Sequence, residues 1–348
     1  MTAAGGQAPP GGREASAIAV ATGGDAAAFT SLLEPHRREL HVHCYRMVGS
    51  FADAEDLVQE TFLRAWRKRT SFQGRSTFRA WLYGIATNAC LEELRRSQRR
   101  LLPHQVTPGN TTPDAAPPVT DVAWIQPYPD RLLDQVAPSD VEPDAVVVAK
   151  ETIELAFLAA IQLLPPRQRA VLILRDVLRW SASQTASALD FSVPAVNSAL
   201  QRARATLREH RPDRLDMAPA SQSTRTEQAL LRRYLDAHER ADVAAVVDLL
   251  REDVRFAMPP AHWWLDGRDA VAAAYQQGFR AGDPTDWRRV PTRANRQPAL
   301  ACYRRLPGQS RFQAFTIEVL RIQDDALAEI TSFGDADLFP AFGLPPAL

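Results

Sequence analysis

The chain has 348 residues, 45% hydrophobic and 24% charged, with 41 basic and 41 acidic side chains and no formal net charge. That length suits two or three globular domains of roughly 100–200 residues, and no apolar run approaches the ~20 residues of a membrane helix. Cys44, Cys90 and Cys302 stand far apart with no CxxC pair, which argues against a disulfide framework or a zinc site and fits a reducing cytoplasm.

Residues 1–24 lack the charged start and long apolar stretch of a signal peptide and read as a disordered tail. Residues 25–100 carry helical periodicity, with helices expected at about 25–48, 53–69 and 76–100. In the segment DAEDLVQETFLRAWR (53–67), Ala54, Leu57, Val58, Thr61, Phe62 and Ala65 share one face at about 100° per residue. The opposite face holds Asp53, Asp56, Gln59, Glu60 and Arg67, with Leu63 in their midst. A solvated face explains the charges but not the leucine. Along 76–100, Trp81, Asn88, Arg95 and Arg99 fall on one stripe, preceded by Phe72, Gly74 and Arg75. Aromatic groups next to arginines suit unstacked single-stranded bases. Equally, Trp81 and Phe78 suit a core, with the terminal arginines complementing the helix dipole.

Residues 101–149 hold nine prolines, seven acidic residues and one arginine. This is the composition of an acidic linker, interrupted by WIQPYPDRLLD (124–134), whose aromatics are able to dock. Residues 150–214 are helical again and net basic. Pro165-Pro166 ends one helix and opens the next. Ser181 with Gln184 forms a capping box, Asp190-Phe191 a turn, and Ser192 a second cap. On the helix that follows, Val196, Ala199, Leu200, Ala203 and Leu207 make a narrow apolar stripe. Asn197, Ser198, Gln201, Arg202, Arg204 and Arg208 occupy the rest, as in a helix-turn-helix. Asn and Gln suit adenine edges, and Arg suits guanine or phosphate.

A short linker (215–224) leads to residues 225–345, where helices precede strands, an α+β pattern. In RFQAFTIEVL, Phe315, Ile317 and Val319 alternate with Thr316 and Glu318, which predicts a half-buried strand.

Taken together, DAEDLVQETFLRAWR, FRAWLYGIATNACLEELRR, LPPRQRAVLILRDVL and the helix-turn-helix closely resemble bacterial sigma factors of the extracytoplasmic-function (ECF) group over residues 25–212. The resemblance implies a multidomain chain with two all-α sigma domains. Domain 2 (25–100) would bind core RNA polymerase and the −10 element, and helix-turn-helix domain 4 (150–214) the −35 element. Asp53, Asp56, Gln59, Glu60 and Leu63 would dock on the β′ coiled coil, with the β flap as a further polymerase contact. Phe72, Arg75, Trp81, Asn88, Arg95, Arg96 and Arg99 would face the −10 element. Ser192, Ala195, Asn197, Ser198, Gln201, Arg202 and Arg204 would face the −35 element. The linker (101–149) would thread polymerase channels, a placement its acidity suits. It is longer than usual for the group. The uncharged Asn197, Ala199 and Gln201 stand where many members are more basic, so promoter sequence does not transfer.

Residues 225–345 resemble SnoaL-like domains of the nuclear-transport-factor-2-like superfamily, α+β cones around a pocket. Tyr234, His262, Trp263, Trp264 and Asp266, with Glu318, are the candidate lining for a small-molecule ligand. A carboxylate–histidine pair suits acid–base work, but no nucleophile triad or metal spacing appears. No catalytic residue, cofactor or metal is therefore assigned, and the domain reads as regulatory. The leading reading is a cytoplasmic sigma initiation factor with no membrane partner. The competing readings are a duplex-DNA regulator acting without polymerase and a cone enzyme carrying a DNA-binding module.

Overall fold

The computed structural model describes residues 23, 25–72, 74, 76–106, 108–110, 122–134, 153–209, 224–261 and 264–348. The expected N-terminal tail, most of the acidic linker and the second linker lie outside the described residues. The chain forms two compact units.

The first unit comprises residues up to 48, 52–97 and 165–205, and its described elements are helical. Helix α1 (Ala26–Leu33) starts at Asp25, whose carboxylate accepts from the Ala27 and Ala28 amides at 2.9 and 3.0 Å, satisfying two of the donors a helix start leaves open. Helices α2 (Arg37–Val48), α3 (Phe51–Lys68) and α4 (Phe78–Arg96) follow. Leu40, Cys44, Tyr45, Met47, Ala54, Leu82, Ala86 and Cys90 are sealed in the core. Of the expected apolar face of α3, Ala54, Leu57, Val58, Thr61 and Ala65 are buried; Phe62 is half-buried under the Arg37 guanidinium, 4.8 Å from its ring centre. Pro166 opens α5 (Pro166–Leu172), which runs on through a π turn, Ile173–Val177. The guanidinium of buried Arg169 donates to the Met47 carbonyl.

The second unit comprises residues 49–51, 98–164 and 206 onward. Its centre is a six-stranded sheet of order β2-β1-β6-β5-β4-β3, formed by β1 (Leu250–Ala257), β2 (Trp264–Asp266), β3 (Trp287–Ala294), β4 (Gln297–Arg304), β5 (Gln313–Gln323) and β6 (Ala326–Phe333). All pairs are antiparallel except β1–β6. Two hairpins turn on residue pairs with positive φ, Asn295-Arg296 (54° and 61°) and Asp324-Asp325 (51° and 60°). This left-handed pair matches the twist of the strands it joins.

The sheet buries both faces. On one, Leu300, Cys302, Leu320, Ile330, Phe256 and Leu265 pack against the helices Thr224–Glu239, Val243–Val247 and Arg268–Ala281. On the other, Ala299, Ala301, Tyr303, Ile317 and Val319 are covered by Leu338, Phe339 and Phe342, and by Leu102, Ile125, Leu155 and Ala159 from before the domain. Thr316–Leu320 is consequently buried at every residue, Glu318 included, which corrects the half-buried expectation. Phe315 is 39% exposed, because the ladder slips between Cys302 and Tyr303 and leaves Phe315 without a partner across from it.

The linker docks by specific hydrogen bonds as well as by burial. Asn295 is fully buried; its side-chain oxygen accepts from the Tyr128 amide at 2.8 Å and its amide nitrogen donates to the Ile153 carbonyl at 2.7 Å. Buried Asp130 accepts from the Arg296 amide at 2.8 Å and meets Arg293 at 3.3 Å. Burial pushes the Asp130 carboxyl up, against the pull of the Arg296 amide. Arg131 donates to the Ala341 and Pro340 carbonyls, and Gln126 to Asp335.

Asn295→Ala leaves two buried backbone groups without partners, at about 1–3 kcal/mol each, and puts alanine at positive φ. The expected outcome is faster hydrogen exchange at Tyr128 and a lowered unfolding midpoint. Unchanged exchange at Tyr128 would show that the amide does not hold the linker.

Candidate nucleic-acid and partner interfaces

Helix α3 turns its polar face outward. Asp56, Gln59 and Leu63 are exposed, Leu63 by 52%, and Asp53 and Glu60 are half-buried. Arg64 bridges Glu60 at 2.6 Å and Glu92 of α4 at 2.7 Å. The Arg64 hydrogen bond holds the Glu92 carboxyl below its usual range. Between the two helices runs a groove of about 440 Å³ with Asp53, Asp56, Glu60, Glu92 and Glu93 along it and Leu57 and Ala89 among its lining. Leu63 stands exposed between Gln59 and Glu60 one turn before it and Arg67 one turn after it, an apolar side chain within a polar rim.

Thr77 caps α4, accepting from the Ala80 amide at 3.2 Å. Just inside the cap, Phe72, Phe78 and Trp81 form a triangle of rings with centres 5.3–5.6 Å apart. Phe78 is buried, while Phe72 and Trp81 are half-buried. Trp81, Asn88 and Arg95 line one groove of about 1060 Å³, together with Lys68 and with Ser183, Gln184 and Ser187. The rings of this helix divide: Phe78 is core, and Trp81 faces the groove. Arg96 lines the acidic groove beside α3 instead. Arg99 is exposed beyond the end of α4, and Arg75 lies outside the described residues.

The helix-turn-helix is built as its sequence signals require. Ser181 accepts from the Gln184 amide at 3.1 Å, and the Gln184 side chain accepts from the Ser181 amide at 2.8 Å. Helix α6 (Ala182–Leu189) ends at Asp190 in the left-handed conformation, φ 55°, and helix α7 (Val193–Glu209) follows. Val196, Ala199, Leu200 and Ala203 are buried, while Ala195, Asn197, Ser198, Gln201 and Arg202 are exposed. Two expected DNA contacts are committed elsewhere. The Ser192 hydroxyl caps α7 by accepting from the Ala195 amide at 3.3 Å. Arg204 grips Asp176 with two hydrogen bonds, 2.6 and 2.9 Å.

The expected pocket of the C-terminal domain is divided by the sheet. Tyr234 and Glu318 do meet: the Tyr234 hydroxyl lies 2.8 Å from the Glu318 carboxylate and 2.6 Å from the Tyr275 hydroxyl. His238, one helical turn on, contacts the Tyr234 carbonyl at 2.8 Å. Trp264 and Asp266, however, pair with Ala257 and Arg255, whereas the alternate residues Leu265 and Phe256 join the Tyr234 core. By strand alternation, Trp264 and Asp266 are on the opposite face. There Trp264 packs beside His104 (ring centres 6.2 Å apart) and takes the Arg255 guanidinium 5.5 Å from its own ring. His262 and Trp263 lie outside the described residues. Tyr275 and His238 were missed in the sequence; the signal for His238 was its spacing of four from Tyr234 on an amphipathic helix. Among the described residues, no group of three His, Cys, Asp or Glu stands ready for a metal ion. Nor is any described helix long and apolar enough to cross a membrane.

The helical pair α3–α4 and the helix-turn-helix define a sigma-type initiation module, and the matches agree in chain order. Residues 32–100 match sigma-70 region 2, residues 154–207 sigma-70 region 4, and residues 231–330 a SnoaL-like domain. The ECF RNA polymerase sigma factor SigG of Mycobacterium tuberculosis is 43% identical over 323 residues, covering 92% of this chain and 85% of that one. SigW of Bacillus subtilis, also an ECF RNA polymerase sigma factor, is 28% identical over 193 residues, covering 55% of this chain and 92% of that one. The crystal structure of the M. tuberculosis ECF sigma factor SigJ shares the fold, with a TM-score of 0.60 at 22% identity over 91% of this chain and all of that one. This chain belongs to the ECF sigma factors and carries the C-terminal SnoaL-like domain in addition to regions 2 and 4.

Burial holds His238 neutral, with its pKa lowered from 6.5 to about 3. Below pH 6.5 the unfolded chain therefore binds a proton that the folded chain does not, and stability falls as pH drops toward 3. The slope approaches ~1.4 kcal/mol per pH unit for each such histidine. Glu318 acts oppositely: burial raises its pKa above 4.5, so its contribution is present at low pH and lost as pH rises through the folded value. Denaturation of His238→Gln at pH 6.5 and 5 should give a slope shallower by one proton. An unaltered slope would mean that His238 is protonated in the fold.

Proposed function

We propose that this chain docks on the β′ coiled coil of core RNA polymerase through Leu63 and the surrounding Asp53, Asp56, Gln59 and Glu60, and directs the enzyme to its promoters from within the cytoplasm. The observation that carries the reading is Leu63, 52% exposed on the polar face of α3, with Asp56, Gln59 and Glu60 before it and Arg67 after it. Charged rims steer association and exclude wrong partners, while an apolar anchor supplies affinity. Trp81, Asn88 and Arg95 serve the −10 element, with the arginine side chains near phosphates and the half-buried tryptophan offering a stacking surface. Asn197, Ser198, Gln201 and Arg202, with Ala195 beside them, serve the −35 element, and the β flap is a second polymerase contact. Ser192 and Arg204 position the recognition helix: one caps it and the other ties it to Asp176.

The C-terminal domain regulates and does not catalyse. Tyr234, Tyr275 and Glu318 spend their hydrogen bonds on one another inside an apolar core, which supports a structural role for them over a substrate or small-molecule role. What the domain holds is the linker, through Asn295, Arg293 and Arg296. A linker destined for polymerase channels must first leave this sheet, so the domain and the polymerase compete for it.

Leu63→Asp should abolish co-purification with core polymerase while leaving the circular dichroism spectrum and unfolding midpoint in place; wild-type binding would refute the docking assignment. Gln201→Ala and Arg202→Ala should each weaken −35 protection, at about 1–3 kcal/mol per lost base contact, and intact footprints from both would reassign the recognition face. In run-off transcription, truncation near residue 215 and Asn295→Ala should shift output in the same direction. Opposite shifts would dissociate regulation from the linker.

A further inference from the structure

One corner of the C-terminal sheet gathers four arginines without a carboxylate partner, three of them over aromatic rings. Arg251, Arg293, Arg296, Arg305 and Arg321 each meet a carboxylate. Among the described residues, Arg288, Arg289, Arg304 and Arg311 make no ion pair. Three of these four stack on rings instead. Arg304 lies 5.4 Å from the Trp287 ring and 5.9 Å from the Phe315 ring. Arg289 lies 5.3 Å from Trp287, and Arg288 4.6 Å from Phe312. The rings brace one another, Trp287 against Phe315 at 5.4 Å.

The register sets them on both sides of one sheet edge. Trp287 pairs with Arg304 and Arg289 with Cys302, so these share one face, while Arg288 pairs with Tyr303 on the other. β3 is an edge strand, so guanidinium groups flank both faces of the same edge. Arg288, Arg311 and Phe315 are exposed, as is the neighbouring Leu306.

A guanidinium stacked flat on an aromatic ring is held in place, with its N–H edges turned toward solvent in a fork that matches phosphate oxygens. Positive charge without a carboxylate partner, braced on rings in this way, is a surface that fits phosphate oxygens. We propose that this corner binds the phosphodiester backbone of promoter DNA, through Arg288, Arg304 and Arg311, independently of base sequence. The inference rests on the chain's acting at promoters. A protein already tethered there meets neighbouring phosphates at high effective concentration, so two exposed arginines and the half-buried Arg304 suffice. An acidic polypeptide is the competing occupant, and cross-linking separates the two.

The test uses the full chain assembled on core polymerase, with a labelled promoter duplex and a scrambled duplex of equal length, titrated from 50 to 300 mM salt. Relative to wild type, Arg288→Ala/Arg304→Ala/Arg311→Ala should bind both duplexes about 10-fold or more weakly at low salt. Its log K against log[salt] slope should be shallower by about 2–3, because each phosphate contact contributes about 0.9. The preference for promoter over scrambled DNA should persist. The triple Lys variant, which keeps the charges, should retain the wild-type slope and controls for folding. A photocrosslinking residue at Leu306 should capture DNA. Wild-type slopes in the folded Ala variant, or capture of polypeptide alone, overturn the proposal. The Arg202→Ala variant reports separately on the promoter reading: if it keeps full promoter preference, the helix-turn-helix assignment fails, whatever the corner does.

Discussion

A sheet with two apolar faces must have both covered, and the C-terminal domain supplies enough helix for only one. Leu300, Cys302 and Ile330 pack under the domain's own helices. Ala299, Ala301, Tyr303 and Val319 on the reverse face share their cover between the domain's own Leu338, Phe339 and Phe342 and the preceding Leu102, Ile125, Leu155 and Ala159. Each buried Leu or Ile there is worth ~1.5–3 kcal/mol. The linker is thus a structural layer of the domain. Asn295 fixes its register, since one buried amide bonds backbone at both Tyr128 and Ile153, which lie on either side of the acidic stretch. Tyr128 also packs on Phe51, ring centres 5.4 Å apart, and Gln126 receives Ser50 at 2.8 Å. Through these contacts the turn that precedes α3 shares the fate of the linker.

The first unit keeps its specificity in what it leaves unspent. Its ion pairs, such as Arg79 with Glu39 at 2.6 Å and Arg64 with Glu60 and Glu92, satisfy carboxylates beside the core. Asp56 and Gln59 remain exposed around Leu63. On α7 the same division recurs. Arg204 is spent on Asp176, while Asn197, Gln201 and Arg202 face outward. A residue's chemistry alone therefore does not assign it to DNA; its existing partners decide.

The helical half was legible because its signals are local. The capping box at Ser181, the proline at the start of α5 and the periodicity of α3 each act within a few residues, and each formed. The strands were less legible. β3 was missed because Arg288, Arg289, Pro291 and Arg293 read as loop; they are tolerated because β3 is an edge strand, where proline's missing donor faces no partner strand. β2, with three residues, is too short for a period. The split of Trp264 and Asp266 from Tyr234 was invisible because proximity in sequence says nothing of which sheet face a residue takes until the register is known. The strand of Glu318 read as half-buried because alternation assumes one wet face, and here the domain's own helices cover the face of Glu318 while the linker covers that of Ile317 and Val319. The arginines of the β3–β4 corner carry no signal in the sequence, because the rings they lie over reach them only through the strand register.

The parallel pairing of β1 with β6, and the placement of Asn295 167 residues beyond Tyr128, put the linker's docking surface late in the chain. A ribosome adding roughly 5–20 residues per second exposes the linker roughly 8 to 33 s before Asn295 exists to hold it. During that interval residues 154–207, which match region 4, emerge behind residues 32–100, which match region 2, while the sheet that covers WIQPYPDRLLD is still incomplete. Every new molecule therefore passes once through a stage in which both sigma regions and the linker exist and the docking surface does not.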